Sequence, residues 1–313
     1  MDSNGWLVYL ERVLAPESEV WVDCEMPAAL PRTAPRHLAL VEAAMYGGRW
    51  PVTLPDDLAE GLARGESAAL DVWRKMAEAA RFFAQHADWP GFEPVAALGV
   101  VSNFSGPSRF LTREVLNLTS RLHQPFRIAD ASKLTEPWLA GLAAVVFPDA
   151  AAPGESLRKL LTAFAESGGL LVVGARWGEA RDEESPPHPR YAVRKLGRGR
   201  IAVARRAMND PYLVANDVRV LLSSRHDPVR FWNGGSLGSF YTRAPEGPAV
   251  VQIVNYATHP DRYPPSLRVA GDFRTAKLWT IGADAQPLEV RRERGGAEIL
   301  LPPVEVYCAV ELR

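Results

Sequence analysis

The run Gly168-Gly169-Leu170-Leu171-Val172-Val173-Gly174-Ala175-Arg176-Trp177-Gly178 poses the sharpest chemical question in the chain. Its apolar stretch, Leu170 to Val173, reads as a buried parallel strand. The strand ends in a glycine-bounded turn of the kind on which α/β proteins often mount a nucleophile. The residue in that turn is Ala175, whose methyl group offers no nucleophile, acid or base. Beside it, Arg176 and Trp177 are candidate ligand-binding residues at the strand ends, where open α/β sheets take their ligands. Trp and Arg are also common interface anchors, and an interface role is the preferred reading of the pair.

Other chemistry-bearing residues are more scattered. Glu25 stands just past a short predicted strand, Val20 to Asp23. Asp56 and Asp57 follow Leu54-Pro55, a position that suits a sugar-binding carboxylate. Pro-Asp-Asp is equally an ordinary helix start, which is the preferred reading. Trp50 belongs to an N-terminal group with Trp6, Trp21, Trp73 and Trp89; such rings stack on sugars, and they also bury area in a thinly covered segment. The six histidines show no paired metal-ligand spacing, and Cys24 and Cys308 alone make neither a disulfide framework nor a cysteine metal site. Gly234 to Gly238 is glycine-rich, but no Lys-Ser/Thr follows it, so it is a loop and not a phosphate cradle. No cofactor is expected.

Composition narrows the classes. The chain has 313 residues, 47% hydrophobic and 23% charged, with a formal net charge of -1. That balance gives no electrostatic case for nucleic acid or an anionic membrane. The one dense basic run, Arg194 to Arg200, reads as a hairpin with solvated basic edges. No segment reaches the ~20 apolar residues of a membrane span, and the first residues lack a signal-peptide pattern. A cytoplasmic protein is expected.

Three parts must position these residues. In 1–92, Glu19 to Asp23 and Trp50 to Leu54 are expected strands. His37 to Tyr46 and Ser67 to His86 are expected helices, the latter burying Leu70, Trp73, Met76, Ala77, Ala80 and Phe83. In 93–207, strands at 95–101, 126–129, 144–148 and 170–173 alternate with helices at 109–123, 137–142 and 155–167. This predicts right-handed crossovers and a parallel sheet covered on both faces. Phe110, Val115, Leu118 and Leu122 form the expected buried face of the first of these helices. A hairpin over 191–203 follows. In 208–313, a helix near 212–223 precedes seven short strands separated by turns, the pattern of an antiparallel sandwich.

This order resembles the C-terminal half of barrel glycoside hydrolases of the β-galactosidase kind. The segments Val145-Val146-Phe147-Pro148-Asp149-Ala150, Ala165 to Gly174 and Gly197-Arg198-Gly199-Arg200-Ile201 are similar to a class I glutamine-amidotransferase-like domain. In those enzymes that domain serves trimerisation. Val250 to Tyr256 and Leu300 to Tyr307 resemble the terminal β-sandwich. Residues 1–92, with Glu42 to Gly48, resemble the last two βα units of a (β/α)₈ barrel. A whole barrel takes ~250 residues, so the earlier units have no counterpart in these 92.

The resemblance implies roles. Glu25 would be the nucleophile at the end of a barrel strand, with Trp50, Asp56, Arg176 and Trp177 as sugar-binding candidates. A retaining glycosidase needs a second carboxyl group ~5–5.5 Å from the first, and this sequence shows none; Asp23, two residues along the same strand, is poorly placed. Glu25 is otherwise an ordinary loop carboxylate. Amidotransferase chemistry is rejected, because Ala175 replaces the cysteine and His188 lacks a matching glutamate. Three functions follow: a glycoside-hydrolase-related protein of carbohydrate metabolism, a non-catalytic oligomerising or saccharide-binding relative, or a small-molecule sensor using Ser102 to Ser105 and Ala175 to Trp177. Exposed strand edges in the first part predict a homo-oligomer, a trimer by family analogy.

Overall fold

Among the described residues, helices dominate the N-terminal part, where the sequence pattern predicts two helices alternating with two strands. The computed structural model describes residues 4–23, 37–52, 54–178, 184, 187–257 and 263–313. It places α1 at Gly5–Leu14, α2 at Leu38–Met45, α3 at Asp56–Ala63 and α4 at Ser67–Gln85, followed by a two-residue strand β1, Glu93–Pro94. The expected strands at 19–23 and 50–54 reduce to a single parallel bridge, Trp21 to Arg49. Two backbone hydrogen bonds hold it, Val22 N–H to the Arg49 carbonyl (2.7 Å) and Arg49 N–H to that of Val20 (2.8 Å). Among the described residues no third strand lies alongside, and the ladder does not extend.

By packing, the chain forms two units, residues 95–228 and residues 1–94 with 229–313. The helix expected at the head of the C-terminal part therefore falls in the central unit.

That central unit contains β2 (Leu98–Ser102), α5 (Arg109–Arg121), β3 (Phe126–Asp130), α6 (Glu136–Leu139), β4 (Ala144–Phe147), α7 (Glu155–Glu166), β5 (Leu170–Val173), β6 (Tyr191–Leu196), β7 (Gly199–Ala204) and α8 (Pro211–Leu222). The sheet order is β3-β2-β4-β5-β7-β6, parallel except for the β6–β7 hairpin. Every residue of β2, β4 and β5 is buried, which is why these strands read as apolar runs, broken only by Ser102 at the end of β2: helices cover both faces. Leu139 of α6 and Leu161 and Phe164 of α7 pack on Val101, Val145 and Leu171. Helices α5 and α8 pack on each other across the opposite face. Asp210 caps α8, its carboxylate accepting the N–H groups of Tyr212 and Leu213, and Pro211 supplies the preset first turn. Arg190 clamps the buried Asp217 of α8 through two guanidinium nitrogens.

Two helix faces differ from the sequence reading. In α5, Phe110 is 70% exposed, and Leu111, Val115 and Leu116 make the buried stripe. A short 3-10 turn, Gly106–Ser108, precedes the helix and sets its rotation. In α4, Met76, Ala79, Phe82 and Phe83 are buried while Leu70 and Trp73 are 48% and 43% exposed. The inward face of α4 is chosen by the sheet it lies on.

That sheet belongs to the other unit. Strands β8 (Val229–Trp232), β9 (Leu237–Arg243), β10 (Ala249–Asn255), β11 (Ser266–Ala270), β12 (Ala276–Thr280), β13 (Gln286–Leu288), β14 (Arg291–Glu293), β15 (Gly296–Leu300) and β16 (Tyr307–Leu312) build two antiparallel sheets. Their orders are β1-β9-β10-β16-β12-β13 and β14-β15-β11-β8. The strand expected over 288–293 divides between the two. In β11, residues alternate between buried and half-buried, as in a sheet with one covered face. In β10 and β16 every residue is buried, because the N-terminal helices cover the second face.

Polar contacts lock that helical layer to the sheet. Gln252 donates to the Met45 carbonyl (3.2 Å) and accepts from the Tyr307 hydroxyl (2.9 Å). Tyr9 and Tyr46 lie tilted against Phe240, and Phe82 meets Tyr307 edge-on. Glu42 of α2 accepts from the Asn4 and Gly5 N–H groups and from the Tyr256 hydroxyl, satisfying the start of α1.

Candidate functional site

The central sheet has one position where connections leave in opposite directions. From β2 the chain crosses to β3 on one side, and from β4 to β5 on the other. The carboxyl ends of β2 and β4 therefore diverge, leaving the crevice in which doubly wound sheets bind ligands.

A polar network forms the floor of this crevice. Ser102, at the end of β2, donates to Asp149 Oδ1 at 2.5 Å, and Asn103 N–H donates to Oδ2 at 3.0 Å. Phe104 N–H donates back to Ser102 Oγ at 3.0 Å, and Phe104 takes a φ of 50° to do so. Ser102 also lies 3.3 Å from the Thr112 hydroxyl, which donates to the Ser108 carbonyl. Ser108 Oγ accepts from Ala150 N–H at 2.8 Å. Ser102, Thr112 and Asp149 are buried. Both Asp149 oxygens have donors, so this carboxylate braces two loops and is not a free general base.

Above the brace lies a cleft of about 460 Å³, lined by Asn103, Ser132, Leu134, Phe147, Gly154 and Ser156 among others. Ser132 is itself held by Asp130, which accepts from its N–H and its hydroxyl, both at 2.8 Å. The cleft has the size and mixed lining of a small-molecule site, without a paired acid and base in its floor.

The turn after β5 forms as a 3-10 turn, Ala175–Trp177, closed by Gly178 at φ 130°. Ala175 and Arg176 are exposed. Trp177 is buried in the core cluster; the Arg158 guanidinium sits 4.6 Å from its ring centroid and donates to its carbonyl at 2.6 Å. That ring is committed to packing against α7.

The remaining predicted residues lie in the other unit. Trp50 is half-buried and follows Arg49, which pairs with Glu19 at 2.5 Å and covers Trp21. Asp56 and Asp57 are exposed in the first turn of α3, where negative side chains favour the helix dipole. Glu25 and Cys24 lie outside the described residues, as does His259. Among the described residues no group of His, Cys, Asp and Glu could hold a metal, and no helix is long and apolar enough to cross a membrane. Sequence reasoning missed Asp149 as a structural centre. The available signal was a buried strand ending in Ser beside one ending in Pro-Asp.

The fold is shared with glycosidases. The chain aligns over 99% of its length with a β-galactosidase from Bacillus circulans sp. alkalophilus, with a TM-score of 0.63 and 11% identity. An α-L-fucosidase isoenzyme 2 from Paenibacillus thiaminolyticus aligns over 90%, with a TM-score of 0.61 and 11% identity. A rhamnosidase from Novosphingobium sp. PP1Y aligns over 99%, with a TM-score of 0.63 and 12% identity. The chain spans 58%, 57% and 33% of those proteins respectively. A scan against protein-family models and a search of curated proteins gave no match. At these identities the likeness is one of fold, and the α/β plus β-sandwich architecture expected from the sequence is borne out.

Proposed function

We propose that this chain is a glycoside-hydrolase-related protein of carbohydrate metabolism. One observation carries the reading: both units, in the same order, align over 99% of the chain with a β-galactosidase. In this reading the central unit is an amidotransferase-like domain that has lost its nucleophile and serves assembly, and the protein is a homo-oligomer, a trimer by analogy. Glu25 attacks the anomeric carbon, and Trp50 and Asp56 line the sugar. A second carboxyl group ~5–5.5 Å from Glu25 must act as acid and base.

A non-catalytic, saccharide-binding form of the same protein is favoured by the cleft of about 460 Å³, whose mixed lining holds no paired acid and base. The test is an aryl-glycoside panel (β-galactoside, α-L-fucoside, α-L-rhamnoside) with the parent and Glu25→Gln. Turnover in the parent that falls to background in a folded Glu25→Gln supports the enzyme. No turnover in the parent overturns it, and thermal stabilisation by free sugars then supports the binding form. A monomer by light scattering at micromolar concentration overturns the assembly role.

A further inference from the structure

We propose that the cleft at the amino-terminal edge of the parallel sheet binds a small multivalent oxyanion, a phosphate or sulfate ester. This inference does not depend on the glycosidase reading. The cleft has a volume of about 470 Å³ and opens where β4, β5 and β7 begin. Lys195, Arg198, Arg200, Arg225 and His226 line it, against a single described carboxylate, Glu184. The whole chain has a net charge of only -1, so this is a local concentration of positive charge and not part of a basic surface.

The ordinary structural uses of these cations are mostly taken up elsewhere. Arg200 is fixed, 3.5 Å from Glu184 and donating to the Leu221 carbonyl at 3.1 Å, and Arg225 Nε donates to the neutral His226 Nε2 at 3.1 Å, so the charge of the cleft comes from Lys195, Arg198, Arg200 and Arg225. The end of α7 also faces the cleft, and cations near such an end usually serve its orphan carbonyls. Here backbone donors already reach them: Ser167 to Ala163, Gly169 to Phe164, Gly168 to Ala165 and Arg198 to Glu166. Lys195 and Arg198 are thus exposed on the cleft wall without a capping duty. Arg225 arrives from the other side, on a short 3-10 turn that starts from Ser223 at φ 67° and ψ 139°. That conformation is costly for a residue with a Cβ, and it sets Arg225 and His226 against the hairpin. Like charges gathered from separate segments repel unless an anion neutralises them, and guanidinium groups match the oxygens of tetrahedral oxyanions in charge and geometry. The volume suits a ligand the size of a hexose ester.

Calorimetric titration of the full chain at low salt tests this with inorganic phosphate, glucose 6-phosphate, galactose 6-sulfate and glucose. The anions are expected to bind and glucose is not, with affinity falling as salt rises. Equal binding of inorganic phosphate and the esters identifies the free anion as ligand; tighter binding of an ester identifies that ester. Lys195→Ala/Arg198→Ala is expected to weaken binding about tenfold or more, roughly the loss of charge-assisted hydrogen bonds. Arg225→Gln should act in the same direction should the double variant fold poorly. Lys277→Ala, an exposed cation of the other unit, should leave binding unchanged. Absence of binding by any anion overturns the proposal, as does unchanged affinity in both cleft variants.

Discussion

Asp149 shows how a residue can look catalytic and be structural. It is a buried carboxylate at a strand end, the place where catalytic acids often sit, yet Ser102 and Asn103 N–H occupy both of its oxygens. Asp149→Ala leaves those donors buried without an acceptor. A loss of roughly 2–3 kcal/mol in urea unfolding is expected, with less loss for Asp149→Asn, which keeps one acceptor. A change below the error of the measurement would refute the bracing role. Cys308 is the opposite case, a reactive group kept inert. It is buried in β16, and burial pushes its thiol up to about 12. In a Cys24→Ser background, Cys308 should resist alkylation at pH 8 until the chain is unfolded. Rapid labelling of the native protein would contradict this.

At the scale of elements, close packing of α7 on the β6–β7 hairpin is the most exacting contact. A Cβ on Gly199 would lie 2.2 Å from the carbonyl oxygens of both Ala165 and Gly169. Ala165 lies in the last turn of α7 and Gly169 in the connection to β5, and both atoms belong to the backbone, so neither can swing aside. Gly199→Ala should therefore cost more than about 2 kcal/mol and lower the melting temperature by several degrees, in contrast to the few tenths expected at an open loop glycine. Gly295, with nothing within 4 Å, is the comparison on space alone, although its φ of 79° also favours glycine. The helical layer over β10 and β16 behaves as an element in the same sense. Gln252 joins Met45 of α2 to Tyr307 of β16, and a polar residue in a fully buried strand makes sense only with both partners present.

Across the whole molecule, stability should be highest near neutral pH. Burial lowers the pKa of His37 and His86 below 6.5, so below that pH the unfolded chain takes up protons that the folded chain does not, and stability falls as pH drops. At the other end, burial raises Tyr241 and Cys308 to about 12, from ordinary values of 10.0 and 9.0. Between those limits the unfolded chain has released protons that the folded chain retains, so stability falls as pH rises past about 9. A melting-temperature profile that decreases on both sides of neutrality is expected. One that keeps rising from pH 8 to 10.5 would contradict these assignments.

The sequence by itself determined the central sheet and the succession of strands after residue 228. Runs such as Leu98 to Val101 and Leu170 to Val173 carry no polar side chain because both of their faces are covered, and that signature is local. It also settled the absence of a nucleophile at Ala175. Tertiary structure decided what local pattern could not. Trp50 to Leu54 has the composition of a strand, but a strand needs neighbours, and among the described residues the one bridge here is made by the preceding Arg49. Phe110 fits an apolar stripe at helical spacing, yet α5 is rotated so that Leu111 faces inward. Trp177 suited a ligand platform until Arg158 and α7 were seen to cover it. The basic run at 194–200 read as a solvated hairpin, and only the fold brings Arg225 and His226 to it from more than twenty residues away. In each case periodicity describes one segment, whereas burial and charge clustering depend on which other segment arrives, and that is decided in three dimensions.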